Sequence, residues 1–140
     1  MDRRDFIQKS IILACGVAGA TAFLEACQKV SNQQAPAPSV NFTIDISTSQ
    51  YSALQNKGGY VYYSQSNIII ARDKIGNFVA LYDVCPHAGC TIQFDGDKAF
   101  PCPCHGSKFD ENGNVTQGPA TSGVKKYSTS LSGTKLTVTG

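Results

Sequence analysis

Cys85-Pro86-His87-Ala88-Gly89-Cys90 and Cys102-Pro103-Cys104-His105-Gly106-Ser107-Lys108-Phe109-Asp110 are the two stretches that decide how the rest of this sequence folds. Both histidines of the chain and four of its six cysteines fall in them, and 14 residues separate His87 from Cys102. Each box offers one Cys-x-His or Cys-x-x-His pair and one further cysteine. Proline fixes φ and glycine permits positive φ, so both boxes have the chemistry of tight turns that aim side chains and amides at one point. Three chemistries use such residues. Four cysteines can form two disulfides in an exported protein, although Cys102 and Cys104 are too close in sequence to pair comfortably with each other. Two Cys and two His can hold a structural zinc, which leaves the other cysteines unexplained and makes Cys-x-His an unusual ligand pair. A mixed-ligand iron–sulfur cluster places two thiolates on one iron and two imidazoles on the other.

Outward from the boxes, β-branched and aromatic runs alternate with turn residues, and no helical period is sustained after Asn41. The strands expected are 42–46, 60–64, 68–73, 78–83, 98–100, 125–131 and 135–139. Gly58-Gly59, Ile75-Gly76-Asn77, Glu111-Asn112-Gly113-Asn114 and Ser132-Gly133-Thr134 supply the turns between them. Closely spaced strands with hairpin turns predict an all-β, antiparallel sandwich or barrel over 41–140, interrupted by the two cysteine-rich loops. The chain has 140 residues, room for one domain and a short extra segment. A net charge of +2 and no basic stripe with interleaved aromatics argue against a nucleic-acid partner.

The N-terminus has a different character. Arg3-Arg4-Asp5-Phe6-Ile7-Gln8-Lys9 precedes an apolar stretch, Ile11 to Leu24, of 14 residues, fewer than the roughly 20 that span a bilayer. The stretch has no polar face, which excludes an amphipathic core helix. Residues 1–27 therefore read as an export signal or membrane anchor. The paired arginines resemble the twin-arginine motif, whose signals carry folded proteins across the membrane. Leu24-Glu25-Ala26-Cys27 resembles a lipoprotein cleavage box, in which Cys27 becomes the lipidated first residue. Glu25 departs from the small or apolar residue usual at its position, and a retained helix over 10–26 is the alternative. Cys15 lies too early in the apolar run and reads as a small hydrophobe within it. Residues 28–40, polar and rich in Pro and Ala, read as a flexible linker.

Cys-Pro-His-Ala-Gly-Cys together with Cys-Pro-Cys-His-Gly-Ser-Lys-Phe-Asp closely resembles the signature of the Rieske iron–sulfur family. The resemblance covers Asp83 to about Ala120 and is weaker in the flanking strands. It implies one [2Fe–2S] cluster, with Cys85 and Cys102 on one iron and His87 and His105 on the other. It also implies a Cys90–Cys104 disulfide joining the two loops, and a Rieske-type sandwich or barrel with an inserted two-loop cluster subdomain. Spare cysteines in both boxes are similar to the cytochrome bc-type branch rather than to dioxygenase ferredoxins. Gly118-Pro119-Ala120 resembles the loop that covers the cluster in that branch, and Ser107 matches the family's serine donor to a bridging sulfide. Two residues depart from the pattern. Phe109 replaces a tyrosine that donates to a ligand cysteine, and Ala88 stands where a bulkier leucine often shields the cluster.

The function this resemblance implies is one-electron transfer within a membrane quinol-oxidising chain, on the periplasmic face of a bacterial cytoplasmic membrane. The expected partners are a cytochrome b-like subunit, a cytochrome c or similar acceptor, and the membrane itself through the N-terminal anchor. In such a chain the protein is an electron-transfer subunit of an oxidoreductase rather than a catalyst alone. The alternatives are a small Rieske subunit of a separate periplasmic oxidoreductase, similar to arsenite oxidase, and a redox sensor. A terminal mononuclear-iron oxygenase is excluded, because it needs two more histidines and a carboxylate, and both histidines here are already committed.

Overall fold

A computed structural model of the chain describes residues 36–140. The expected export signal, the expected lipidation site at Cys27 and most of the expected linker lie outside these residues. Nine strands follow in order: β1 (Asn41–Asp45), β2 (Tyr60–Tyr63), β3 (Ile68–Arg72), β4 (Phe78–Tyr82), β5 (Phe100–Pro101), β6 (Lys108–Phe109), β7 (Val115–Gln117), β8 (Lys126–Ser132) and β9 (Lys135–Thr139). A 3₁₀ segment, Ser49–Gln55, connects β1 to β2. All strand pairings are antiparallel. Six strands run β1-β9-β8-β4-β3-β2, and a smaller sheet runs β5-β6-β7. The fold is all-β, an antiparallel sandwich curled toward a barrel with an inserted cluster-loop subdomain.

The curl follows from β8, which changes partners along its length. Lys126 and Tyr127 pair with Leu81 and Ala80 of β4, whereas Ser128 to Ser132 pair with Thr139 to Lys135 of β9. The sheet therefore turns a corner within one strand, as sandwiches with shared strands do. Its two edge strands meet at the far side, where the rings of Phe42 on β1 and Tyr63 on β2 stack with centroids 3.9 Å apart and planes 7° apart.

Ile68-Ile69-Ile70-Ala71 in β3 has no polar face because the strand has no solvent face. Successive strand side chains point to opposite sides, and here both sides are covered. Ile68 and Ile70 join Ile44, Leu54, Ala80, Tyr127, Leu136 and Val138 in the core between the sheet's two halves. Ile69 and Ala71 join Val79, Leu81, Ile92, Phe94, Phe100, Phe109 and the two buried cysteines on the other side. The base and the loop subdomain thus share one wall, made of β3 and β4.

Some boundaries differ from expectation. The strand expected at 98–100 is β5 at Phe100–Pro101, because Asp95 Oδ1 accepts bonds from the amides of Asp97, Lys98 and Ala99 and holds them in a turn. The unexpected strands β6 and β7 have two and three residues, too few to show a period. Val40 and Gly140 exchange backbone bonds of 2.6 and 3.0 Å, and the Pro38 carbonyl accepts from Tyr127 Oη at 2.9 Å and Lys125 Nζ at 3.2 Å. The last residues of the expected linker thus already lie on the domain.

Tyr127 is almost fully buried, and burial, reinforced by nearby Tyr82 and Asp83, pushes its phenol up to about 12. The folded chain holds that proton more tightly than the unfolded chain, whose tyrosine titrates near 10. The contribution is fully present below pH 10 and is lost as pH rises from about 10 to 12. Tyr127→Phe is expected to lower stability at pH 7 by about 1 kcal/mol, through the lost bond to Pro38. It is also expected to flatten the alkaline fall, and chemical denaturation at pH 7, 10 and 11.5 checks both.

Candidate metal centre

The two boxes fold into equivalent turns. In the first, the Cys85 amide donates to the Cys90 carbonyl and the Gly89 amide to the Cys85 carbonyl, both at 2.8 Å. In the second, the Cys102 amide donates to the Ser107 carbonyl at 2.7 Å and the Gly106 amide to the Cys102 carbonyl at 3.1 Å. The turning residue is a glycine in both, Gly89 at φ 74° and Gly106 at φ 81°, a region that costs a residue with Cβ of order 1 kcal/mol. Cys-Pro-x-x-Gly is thus one local instruction written twice. The Val84–Thr91 bridge and the Asp83 carbonyl, accepting from Ile92, extend the first turn into a hairpin. Strands β5 and β6 do the same for the second. A bond of 2.8 Å from the Gln93 amide to the Pro101 carbonyl lays the hairpins side by side.

Equivalent turns direct equivalent side chains. The first cysteine of each, Cys85 and Cys102, is buried, with 1% and 2% of its surface exposed, and neither is in a disulfide. The two thiols are neighbours. Burial pushes the Cys85 thiol up and proximity to Cys102 adds to that, while the backbone amides of His87 and Ala88 pull it down by donating to its sulfur. A bare thiolate is disfavoured there, a metal-bound one is not, and two N–H donors already point at the sulfur. His87 and His105 are exposed, and their ring centroids stand 4.8 Å apart at 80°. The remaining cysteines, Cys90 and Cys104, form a disulfide across the turns.

The donors therefore come in two pairs, buried thiols below and exposed imidazoles above. No group of three or more His, Cys, Asp or Glu side chains around one ion is found among the described residues. Two pairs of different softness suit two metal atoms better than one tetrahedral ion. The donor set fits a [2Fe–2S] cluster held by two Cys and two His.

Ser107 is fully buried and accepts from the Ala120 amide at 2.9 Å, which leaves its own proton free to be donated. Gly118 and Pro119 are exposed, their peptide bond is cis, and Ala120 is buried in the same core as Cys85 and Cys102. Phe109 is fully buried in that core, and Ala88 is exposed.

Two further residues hold the site and were not singled out from the sequence. Tyr62 on β2 donates to the Ile92 carbonyl at 2.9 Å and fastens the first hairpin to the base. Gln117 at the end of β7 donates to the Gly106 carbonyl at 3.0 Å. The only local signal for Gln117 is its position directly before Gly118-Pro119.

The chain is similar to several known proteins. The cytochrome b6-f complex iron-sulfur subunit of Chlorobaculum tepidum is 26% identical over 98% of this chain and 75% of its own length. The subunit of that name from Prochlorococcus marinus subsp. pastoris is 46% identical over 38% of this chain and 30% of its own. The crystal structure of the cyanobacterial plasma membrane Rieske protein PetC3 from Synechocystis PCC 6803 superposes with a TM-score of 0.56 at 25% identity. That match covers 71% of this chain and 99% of that protein. The model of the Rieske [2Fe-2S] domain matches residues 43–128, from β1 through both turns into β8, so this chain belongs to the Rieske [2Fe–2S] domain family.

Proposed function

We propose that the chain is a one-electron carrier, the iron–sulfur subunit of a membrane quinol-oxidising, cytochrome bc-type chain, with Cys85 and Cys102 on one iron and His87 and His105 on the other. The observation that carries this is the burial split, with paired thiols inside and paired imidazoles at the surface of two equivalent turns. Similarity to b6-f iron-sulfur subunits along nearly the whole chain supports the bc-type assignment. The Cys90–Cys104 clamp supports it as well.

When bound, such a cluster supplies a one-electron couple at roughly −150 to +300 mV, far above all-cysteine clusters of the plant ferredoxin type. The residues of the chain set the conditions for that couple. Burial of Cys85 and Cys102 keeps water from the thiolate side. The amides of His87 and Ala88 donate to the Cys85 sulfur, and Ser107, its oxygen already accepting from Ala120, has a proton to donate inward. Such bonds favour the reduced form and raise the potential. His87 and His105 are the contact face: the ring nitrogen of each that is not on iron can accept a hydrogen bond from a quinol hydroxyl and hold its proton. With a cluster bound, the two rings would bring a proton acceptor to the point of the surface where the electron enters.

Location follows from the N-terminus. Arg3-Arg4 and Cys27 support export in the folded state and lipid attachment on the periplasmic face of a bacterial cytoplasmic membrane. Cys27→Ala is expected to move the protein from the membrane fraction to the soluble one; retention would favour a spanning helix.

Electron paramagnetic resonance of the dithionite-reduced protein tests the ligand set. A signal with the low average g of mixed Cys/His ligation is expected, and Cys85→Ser, Cys102→Ser, His87→Ala or His105→Ala should each abolish it. A silent protein containing stoichiometric zinc would overturn the assignment. Co-purification of a membrane cytochrome b tests the partner, and a soluble periplasmic oxidoreductase in its place would overturn the bc-type reading. Phe109→Tyr, which puts a hydroxyl donor into the core shared with both cysteines, is expected to raise the midpoint potential in a redox titration.

A further inference from the structure

We propose that Gln117 is a positioning residue that fixes the turn bearing His105 and secures one end of the Gly118–Pro119 loop. The proposal rests on the cluster reading above. Its geometric basis is a pair of attachments. Gln117 Nε2 donates to the Gly106 carbonyl at 3.0 Å, and the Ala120 amide donates to Ser107 Oγ at 2.9 Å. Gly118 and Pro119 are the only residues between Gln117 and Ala120, and Gly106 and Ser107 directly follow His105. A two-residue loop is therefore hung at both ends from successive residues of the second turn.

Sheet register explains why residue 117 does this. Gln117 on β7 lies opposite Lys108 on β6, with a register irregularity between Lys108 and Phe109. Gly106 stands two residues before Lys108, the diagonal same-face neighbour that a long side chain reaches across a pair of strands. Gly106 has φ 81°, and a Cβ built there would lie 3.9 Å from Gln117 Nε2, so the amide covers the open side of that glycine.

The two attachments differ in strength. Ser107 is fully buried, so its bond to Ala120 is shielded from water. Gln117 is exposed, and its bond competes with solvent. Fluctuation of the loop should therefore begin at the Gln117 end, beside the exposed imidazole of His105. A bond of this kind governs local opening far more than global folding. Removing it should loosen the loop and the His105 ring while leaving the domain folded.

Four forms of the full chain separate donation from mere bulk: unmodified, Gln117→Ala, Gln117→Glu and Gln117→Arg. Glutamate has nearly the shape of glutamine but cannot donate to a carbonyl when ionised, whereas arginine can. Amide exchange at Ala120 is expected to be about three- to tenfold faster in Gln117→Ala and Gln117→Glu and near the unmodified rate in Gln117→Arg. The resonance signal of the reduced cluster should broaden in the first two and recover in the third, with thermal melting unchanged in all. Unaltered Ala120 exchange in Gln117→Glu would overturn the proposal. So would faster exchange without any change in line shape, because His105 would then not be positioned by it. A change confined to melting would also overturn it, since it would show a merely structural role. Absence of a cluster signal from the unmodified protein would instead remove the cluster reading on which the proposal rests.

Discussion

Two thiols from segments 17 positions apart must lie side by side in an apolar bed, while the imidazole beside each reaches water. Much of this domain follows from that demand. A buried sulfur needs a charge partner or a proton, so the turns that carry Cys85 and Cys102 must arrive at one place and stay there. Proline and glycine hold each turn, and the Cys90–Cys104 bond clamps one turn to the other. The two turns place their histidines one residue apart in equivalent terms, third in the first and fourth in the second. Two copies of one turn thereby deliver two different rings to adjacent points.

The bed itself belongs to the base. Strands β3 and β4 face the main core with Ile68, Ile70 and Ala80 and face the loops with Ile69, Ala71, Val79 and Leu81. A sheet covered on both sides admits no polar alternation, and in exchange it gives two short hairpins the support of a complete sandwich. Neither hairpin has strands long enough to stand alone. Their order comes from the wall behind them, from Tyr62 reaching Ile92 and from Asp95 and Asp110 gathering amides in the turns that lead out of each hairpin.

The turns were legible in the sequence because Cys, Pro, His and Gly carry strong and separable signals. Strand order was not, because β8 divides its pairing between β4 and β9 and no residue within Lys126–Ser132 marks the change. The 3₁₀ segment at Ser49–Gln55 was hidden for a related reason. Among its residues only Leu54 is buried, and it is fixed by tertiary bonds such as those from Arg72 Nη1 to the Leu54 and Gln55 carbonyls. Gln117 and Tyr62 show the same limit at the site. Each acts through a bond to a backbone carbonyl, and a carbonyl leaves no trace in the identity of the residue that bears it.

The reciprocal bonds between Val40 and Gly140 give the domain a mechanical character. Any pull on the chain ahead of Val40 is felt first at the Pro38 carbonyl, held by Lys125 and Tyr127, and then along edge strand β1, which is riveted to β9. Force is thus shared among β1, β8 and β9. Tension on that end is thereby carried by the backbone bonds of a whole sheet edge and not by one side chain.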